Sequence, residues 1–338
     1  MKSIFAALIL LLSGCLLPED EYGWTVMSWN VQNLFDGTDD GTEYPEFDPE
    51  KGDWNERLYQ RRLDRTAEVI LKTVPGGADL IVLQELENQR VLDNLVNGPL
   101  NGRGYNYSFA VPGFSIIRCG ILSRYQISAV SAVDCGEWAG RPLRPALSFT
   151  VTVEGESIRV FALHWKSPRG NRAANEAARI REAGIVRDLL GERLKANQNA
   201  RIIVLGDLNT PGDGMVEPAA LAPYGDFSGD TVLWRTDTAE FPPFDPAQIV
   251  LFDPQPIGEP PGTYNYRGEW DRPDRALLTP GFTQGDGLRF ESIQIGGSGI
   301  MLDSRGEPQI WRTDLEEGYS DHLPLILNFR LIASAEEE

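Results

Sequence analysis

The chain has 338 residues, 41% of them apolar and 24% charged, a composition suited to one large globular domain or two ordinary ones. A formal net charge of −19 repels polyanions at long range and argues against tight non-specific binding to duplex DNA, leaving room only for a local basic lip. The 34 glycines and 23 prolines favour many turns and long loops, as in a strand-rich protein.

The opening "MKSIFAALILLLSGC" carries one positive residue, Lys2, then an apolar stretch from Ile4 to Leu12 that is too short to span a bilayer comfortably. Such a pattern reads as a secretory signal over residues 1–14. Leu12-Ser13-Gly14-Cys15 resembles the bacterial lipobox, which implies that Cys15 is lipidated and becomes the first residue of the mature protein. Residues 15–23 are then a tether, and the expected location is outside the cytoplasm, anchored to a membrane. Beyond Cys15, Cys119 and Cys135 are candidates for a disulfide in an oxidising compartment. No Cys/His spacing suggests zinc.

Short apolar runs follow in order. They are "TVMSW" (25–29), "DLIVLQE" (79–85), "CGILS" (119–123), "ALSFTVTV" (146–153), "IRVFALHW" (158–165), "RIIVLGD" (201–207), "RALLT" (275–279) and "PLILNF" (324–329). Between them, 54–74 repeats Leu63, Ala67, Ile70, Leu71 and Val74 on one helical face, and 171–195 repeats Ile180, Ala183, Val186, Leu190 and Leu194. Gly76-Gly77 punctuates the chain after the first helix. Residues 211–262, rich in Pro, Gly and Asp, are expected to be surface loops, and 332–338 a frayed tail. One α/β domain over 24–331, with two sheets packed together and helices outside, is the expected architecture.

The borders of the apolar runs are polar in a repeated way. "MSW" runs into Asn30, "LIVLQ" into Glu85, "RVFAL" into His164, and "IIVLG" into Asp207 with Asn209 beyond it. Asp274 precedes "RALLT", and Asp321-His322 precedes "LPLIL". A single Asp in such a place is an ordinary turn residue. Here, however, both histidines of the chain take part. Strand ends along one sheet edge converge on a cleft, where α/β enzymes build sites. Several carboxylates with Asn and His, and no thiolate, favour a hard oxygen-ligated cation: Mg²⁺, with Mn²⁺ or Ca²⁺ as substitutes. His beside Asp suits acid–base work near neutral pH. The set implies metal-assisted hydrolysis of a phosphoester. The chain has neither the GxSxG elbow nor the GxxxxGK[ST] loop. Paired glycosidase carboxylates stay open, but would not explain both histidines.

These residues, in this order, resemble the endonuclease/exonuclease/phosphatase superfamily, the deoxyribonuclease-I-like fold. The resemblance lies in "SWNVQNLFD" (28–36), "LQELEN" (83–88), "ALHWKS" (162–167), "GDLNTP" (206–211), "RPDRALLT" (272–279) and "SDHLPL" (320–325). "SWNVQNLFD" is closest to the form found in extracellular bacterial nucleases. The resemblance implies a four-layered α/β sandwich: two mainly antiparallel sheets face to face, with helices outside. It also implies that Glu85 is the principal Mg²⁺ ligand, with Asn30 and Asp321 beside it. Asp207 and Asn209 would hold the scissile phosphate or the attacking water. His322, oriented by Asp274, would be general base or phosphate stabiliser, and His164 would serve the leaving oxygen. Arg144 and Lys166 would meet substrate phosphate, with Arg141 and Arg169 as competitors. The family's frequent acid or Tyr before the "GILSR" strand is missing, since "PGFSIIRCG" offers only Arg118.

The expected activity is a phosphodiester hydrolase, first of all a nuclease, monomeric and tethered through Cys15. The alternatives are a phosphoesterase acting on a phospholipid headgroup, sphingomyelin or an inositol phosphate, and a surface lipoprotein that binds without catalysis.

Overall fold

Each apolar run foreseen in the sequence becomes a strand. The computed structural model describes residues 23–41, 43–113, 115–210, 231–235, 248–283 and 285–332. The signal segment, Cys15 and the tail from 333 lie outside the described residues, as does the tether up to residue 22. In chain order the elements are β1 (Trp24–Leu34), α1 (Glu56–Thr73), β2 (Leu80–Leu86), α2 (Gln89–Asn97), β3 (Tyr107–Ala110), β4 (Arg118–Ser123), β5 (Gln126–Val133), β6 (Glu137–Trp138), β7 (Arg141–Pro142), β8 (Ala146–Val153) and β9 (Glu156–His164). They continue with α3 (Arg172–Ala196), β10 (Arg201–Asp207), β11 (Thr231–Arg235), β12 (Gln248–Phe252), β13 (Tyr264–Tyr266), β14 (Glu269–Asp271), β15 (Asp274–Leu278), β16 (Gly287–Ile295), α4 (Ser298–Met301) and β17 (Leu325–Ile332).

Two expectations are corrected here. Residues 231–235 and 248–252, taken as loop, pair in parallel as β11 and β12 and extend a sheet. Their short apolar runs are hidden in a Pro- and Asp-rich stretch. Ile332, assigned to the tail, closes β17 instead.

The first sheet runs β16-β17-β1-β2-β4-β3, and the second β11-β12-β15-β10-β9-β8-β5. Most neighbours are antiparallel; β1 with β2, β9 with β10 and β11 with β12 are parallel. The two parallel pairs that carry site residues have a helix in their crossover, α1 or α3. Period-2 alternation sorts the side chains into layers. Val26, Leu80, Val82, Phe149, Val160, Leu205, Ala276 and Leu327 form the core between the sheets. Trp29, Ile81 and Leu83 face the other way, against α1 and α2. Phe161, Leu163, Ile202 and Val204 face α3. The result is helices, sheet, sheet, helix, the four layers expected.

Asn55 caps α1 by accepting the Leu58 N–H, and Asn171 caps α3 by accepting that of Ala174. Cys119 and Cys135 are both free, buried thiols. Cys119 lies in the core between the sheets and Cys135 in the cluster under α3, so the expected disulfide is not formed. Among the described residues no helix is long and apolar enough to cross a membrane.

Candidate active site

Register places the polar borders together. In β10 the final residue, Asp207, stands opposite His164 of parallel β9 and opposite Asp274 of antiparallel β15. All three have the parity of the inter-sheet core residues behind them, so their side chains close one end of that core. From the facing sheet, Asn30 shares the parity of Val26. Glu85 does not: by alternation it follows Ile81 and Leu83 toward the helices. A register shift in both ladders of β2 and a φ of +68° at Glu85 interrupt the alternation there. Such a bulge re-aims a side chain, and Glu85 meets Asn30 instead.

The contacts form two units. In the first, the Asn30 amide donates to Glu85 Oε1 at 3.2 Å and to Asp207 Oδ2 at 3.1 Å. His164 Nε2 stands 3.6 Å from the same two oxygens. Asn33 N–H donates to Glu85 Oε2 at 2.9 Å. In the second, His322 Nδ1 lies 2.7 Å from Asp274 Oδ2, which also accepts the Thr263 hydroxyl at 2.6 Å. This arrangement fixes the ring and leaves Nε2 for another partner. The main chain around His322 is held as well. Trp29 Nε1 donates to its carbonyl at 2.8 Å, and Ser320 Oγ, which accepts the His322 N–H, donates to Asn30 O at 2.7 Å.

Burial sets the electrostatics. The Glu85 carboxyl is pushed up, first by burial and then by the Asp321 charge. Asp207 is raised by burial and by the neighbouring Asp274 and Glu85 carboxylates, against the pull of His322. His164 is held well below the usual imidazole value by burial, helped by Arg144, His322 and Lys166. Burial would depress His322 too, but the Asp274 carboxylate outweighs it and lifts the ring well above the ordinary value. The two imidazoles are thus driven to opposite charge states.

A hard cation fits this donor set. Two carboxylates, half-buried Glu85 and buried Asp207, converge on one amide, the Glu85 charge raises Asp207, and Asp321 adds charge at the half-buried rim. Asp274 Oδ1 and His164 Nδ1 are buried with no hydrogen-bond partner among the described residues. Asp207, Asp274 and His322 also offer ligand atoms within 4.8 Å of one another. Because Asp274 and His322 already satisfy each other at 2.7 Å, the side of the cluster with Glu85, Asn30 and Asp321 is better disposed for the metal.

The remaining candidates sit around this centre. Asn209, with a φ of +51°, donates its side-chain amide to Trp165 O at 3.0 Å, while its N–H reaches Asp207 Oδ1. Arg144 donates to the same Trp165 carbonyl at 3.1 Å. Lys166 is exposed on the same loop. Arg169 reaches the Tyr264 hydroxyl at 3.2 Å, whereas Arg141 is exposed on β7. Arg118 bonds the Val111 and Ser115 carbonyls, a loop-fixing role.

Sequence reasoning missed several supports. Tyr264 packs on His322 with ring centroids 4.8 Å apart, and Thr263 fixes Asp274. Both follow a loop-like stretch that has no local signal. Buried Arg62, on α1, binds the carbonyls of Val31, Gln32 and Tyr319 and lies over the Trp311 ring. It clamps the segments that carry Asn30 and His322. A buried charge inside an amphipathic helix was the available signal. Glu182, on α3, is fully buried under the Lys166 loop and accepts the Lys166 N–H at 3.1 Å.

Residues 25–219 match the model of the Endonuclease/Exonuclease/phosphatase family. No curated protein sequence matches the chain. Among solved structures, truncated TDP2 of Caenorhabditis elegans is similar, with a TM-score of 0.53 at 15% identity, covering 92% of this chain and 98% of that one. A mannosyl-6-phosphatase of Bacteroides thetaiotaomicron gives 0.52 at 17%, covering 90% and 99%. TDP2 of D. rerio, complexed with a single-strand DNA product, gives 0.51 at 16%, covering 91% and 98%.

Proposed function

The chain belongs to the endonuclease/exonuclease/phosphatase family, and we propose that it is a Mg²⁺-dependent phosphodiester hydrolase acting on nucleic acid outside the cytoplasm. The observation that carries this reading is the meeting of two preassembled units in one cleft: the Asp274–His322 pair and the Asn30–Glu85–Asp207–His164 cluster. Mg²⁺, held by Glu85 with Asn30 and Asp321, would offset phosphate charge and favour attack at phosphorus. Asp207 and Asn209 orient the attacking water. His322 presents Nε2 to the phosphate while Asp274 holds its other nitrogen. His164, kept neutral by its surroundings, stands by the leaving oxygen. Arg144, Lys166 and Arg169 supply the local positive rim that an otherwise acidic protein needs for a polyanion.

The single-strand DNA product held by one structural neighbour supports a nucleic-acid substrate. A second reading keeps the chemistry and takes a small phosphoester. The net charge of −19 and the mannosyl-6-phosphatase neighbour favour it. Attachment through lipidated Cys15 completes the proposal; Cys15→Ser should move the protein from the membrane fraction to the soluble one. The deciding assay incubates the protein with plasmid, single-stranded DNA, bis(p-nitrophenyl) phosphate and p-nitrophenyl phosphate, with Mg²⁺ or with EDTA. Chelator-sensitive DNA cleavage is expected. Turnover of the monoester alone would select the second reading, and no turnover of any of them would refute both.

A further inference from the structure

A second acidic group lies beside the first motif. In the stretch "DGTDDGTE" that follows β1, Asp36, Asp40 and Glu43 come close to the residue that follows β2, Glu87. Asp40, Glu43 and Glu87 each place a carboxylate oxygen within 4.8 Å of the others. Surface acids do this often without consequence, but Glu87 is not a surface acid: it is 1% exposed. Its Oε2 accepts the Asp36 N–H at 2.7 Å, whereas Oε1 is buried and has no hydrogen-bond donor among the described residues. A buried carboxylate oxygen without a donor is costly unless something positive meets it.

Asp36, also 1% exposed, adds a fourth carboxylate. Arg90 reaches Asp36 at 3.3 Å and Asp40 at 2.9 Å. Neither contact is with Glu87.

We propose that Asp40, Glu43 and Glu87 bind a structural calcium ion that ties the loop after β1 to the end of β2. Calcium takes oxygen ligands at about 2.3–2.6 Å, so oxygens on opposite sides of it stand roughly 5 Å apart, a span that contains the observed group. Three carboxylates on a loop suit calcium better than magnesium, which keeps several waters and takes one or two carboxylates. The site uses side chains other than those of the cleft, yet it is coupled to it through the backbone. Asn33, three residues before Asp36, donates to Glu85, two residues before Glu87. Calcium would therefore steady the hydrogen bond that holds the principal ligand of the cleft.

The test uses the full chain carrying Glu85→Gln, which weakens cation binding in the cleft. CaCl₂ is then titrated by calorimetry, and Tm is read by circular dichroism. The expected result is one calcium bound and a Tm raised by about 3–5 °C at a concentration near 100 times Kd. Adding Glu87→Gln removes both signals. Asp40→Asn, at an exposed position that does not threaten folding, weakens both. No calcium response in the Glu85→Gln protein would overturn the proposal, as would a response that survives Glu87→Gln and Asp40→Asn. An equal response to MgCl₂ would overturn the calcium assignment. If Glu43 and Glu87 instead share a proton, CaCl₂ changes nothing, which also overturns it.

Discussion

Asp274→Asn isolates what the carboxylate does for His322. Asp274 is 3% exposed, and one of its oxygens receives both the His322 ring at 2.7 Å and the Thr263 hydroxyl at 2.6 Å. Asparagine has nearly the same shape. With its carbonyl in that place, both donors stay satisfied and only the charge is lost. A hydrogen bond to a charged group contributes about 1.5–3 kcal/mol. If this bond is fully expressed in the transition state, kcat/KM falls about 10- to 150-fold. If the amide turns instead and presents its NH₂, the ring takes the wrong tautomer, and the loss extends toward the 10²–10⁴-fold typical of a missing acid–base group. The pH dependence has a definite sign. Burial pushes His322 down and Asp274 lifts it, so removing the charge moves the imidazole to lower values. The limb of the rate profile that reports His322 should shift to lower pH. The assay is kcat/KM for bis(p-nitrophenyl) phosphate from about pH 5.5 to 9.5 at constant saturating MgCl₂, with circular dichroism to confirm folding. A folded variant within twofold of the parent, with an unmoved limb, would refute the role given to this pair.

Glu182→Gln tests a buried acid behind the phosphate rim. Burial raises Glu182 to about 7 although the Lys166 N–H and the nearby Arg144 and Arg179 favour its charge. Between its unfolded value near 4.3 and 7 the folded state holds the proton more tightly, so stability falls as pH rises through that window, by roughly 4 kcal/mol at most; urea midpoints should lose this component in the variant, and an unchanged pH slope would count against it. Gly206→Ala should cost several kcal/mol or prevent folding, because a Cβ there would lie 2.0 Å from the Leu163 carbonyl oxygen at a φ of +135°, forcing β9 and β10 apart where they carry His164 and Asp207; a soluble variant with a parental denaturation midpoint would contradict the packing. Glu85→Gln should leave the fold intact and abolish chelator-sensitive hydrolysis at ordinary MgCl₂, with partial recovery at high MgCl₂ marking a lost ligand rather than a lost structure.

The strands that bear the site were legible because each apolar run is short, bounded and ended by a polar residue. For β8 the run 146–153 coincides with the strand, and α1 and α3 follow their apolar faces within two residues at each end. The elements that escaped are those whose stability is tertiary. β5 is mostly exposed and shows no apolar alternation; it exists because β8 offers it an edge. β11 and β12 sit in a stretch whose composition reads as loop, and they form by extending the sheet beyond β15. The cysteine pairing failed for a related reason: nearness in sequence says nothing about layer, and the intervening chain turns from one core to another.

The site itself shows where a pattern stops being informative. His164, Asp207 and Asp274 follow from alternation alone, since strands that bury Val160, Leu205 and Ala276 must aim these residues into the same gap once the register is fixed. Glu85 violates alternation, and no rule of period two would put it beside Asn30. Its left-handed backbone, costing on the order of 1–3 kcal/mol in a non-glycine residue, is held by the Asn33 N–H and the Asn30 amide on its two oxygens. Strain maintained by surrounding contacts is the mark of a position selected for what its side chain reaches rather than for the strand. The residue that breaks the pattern is therefore the one on which cation binding should depend most. The residues that obey it, His164 and Asp207, were already placed by the requirement to fold.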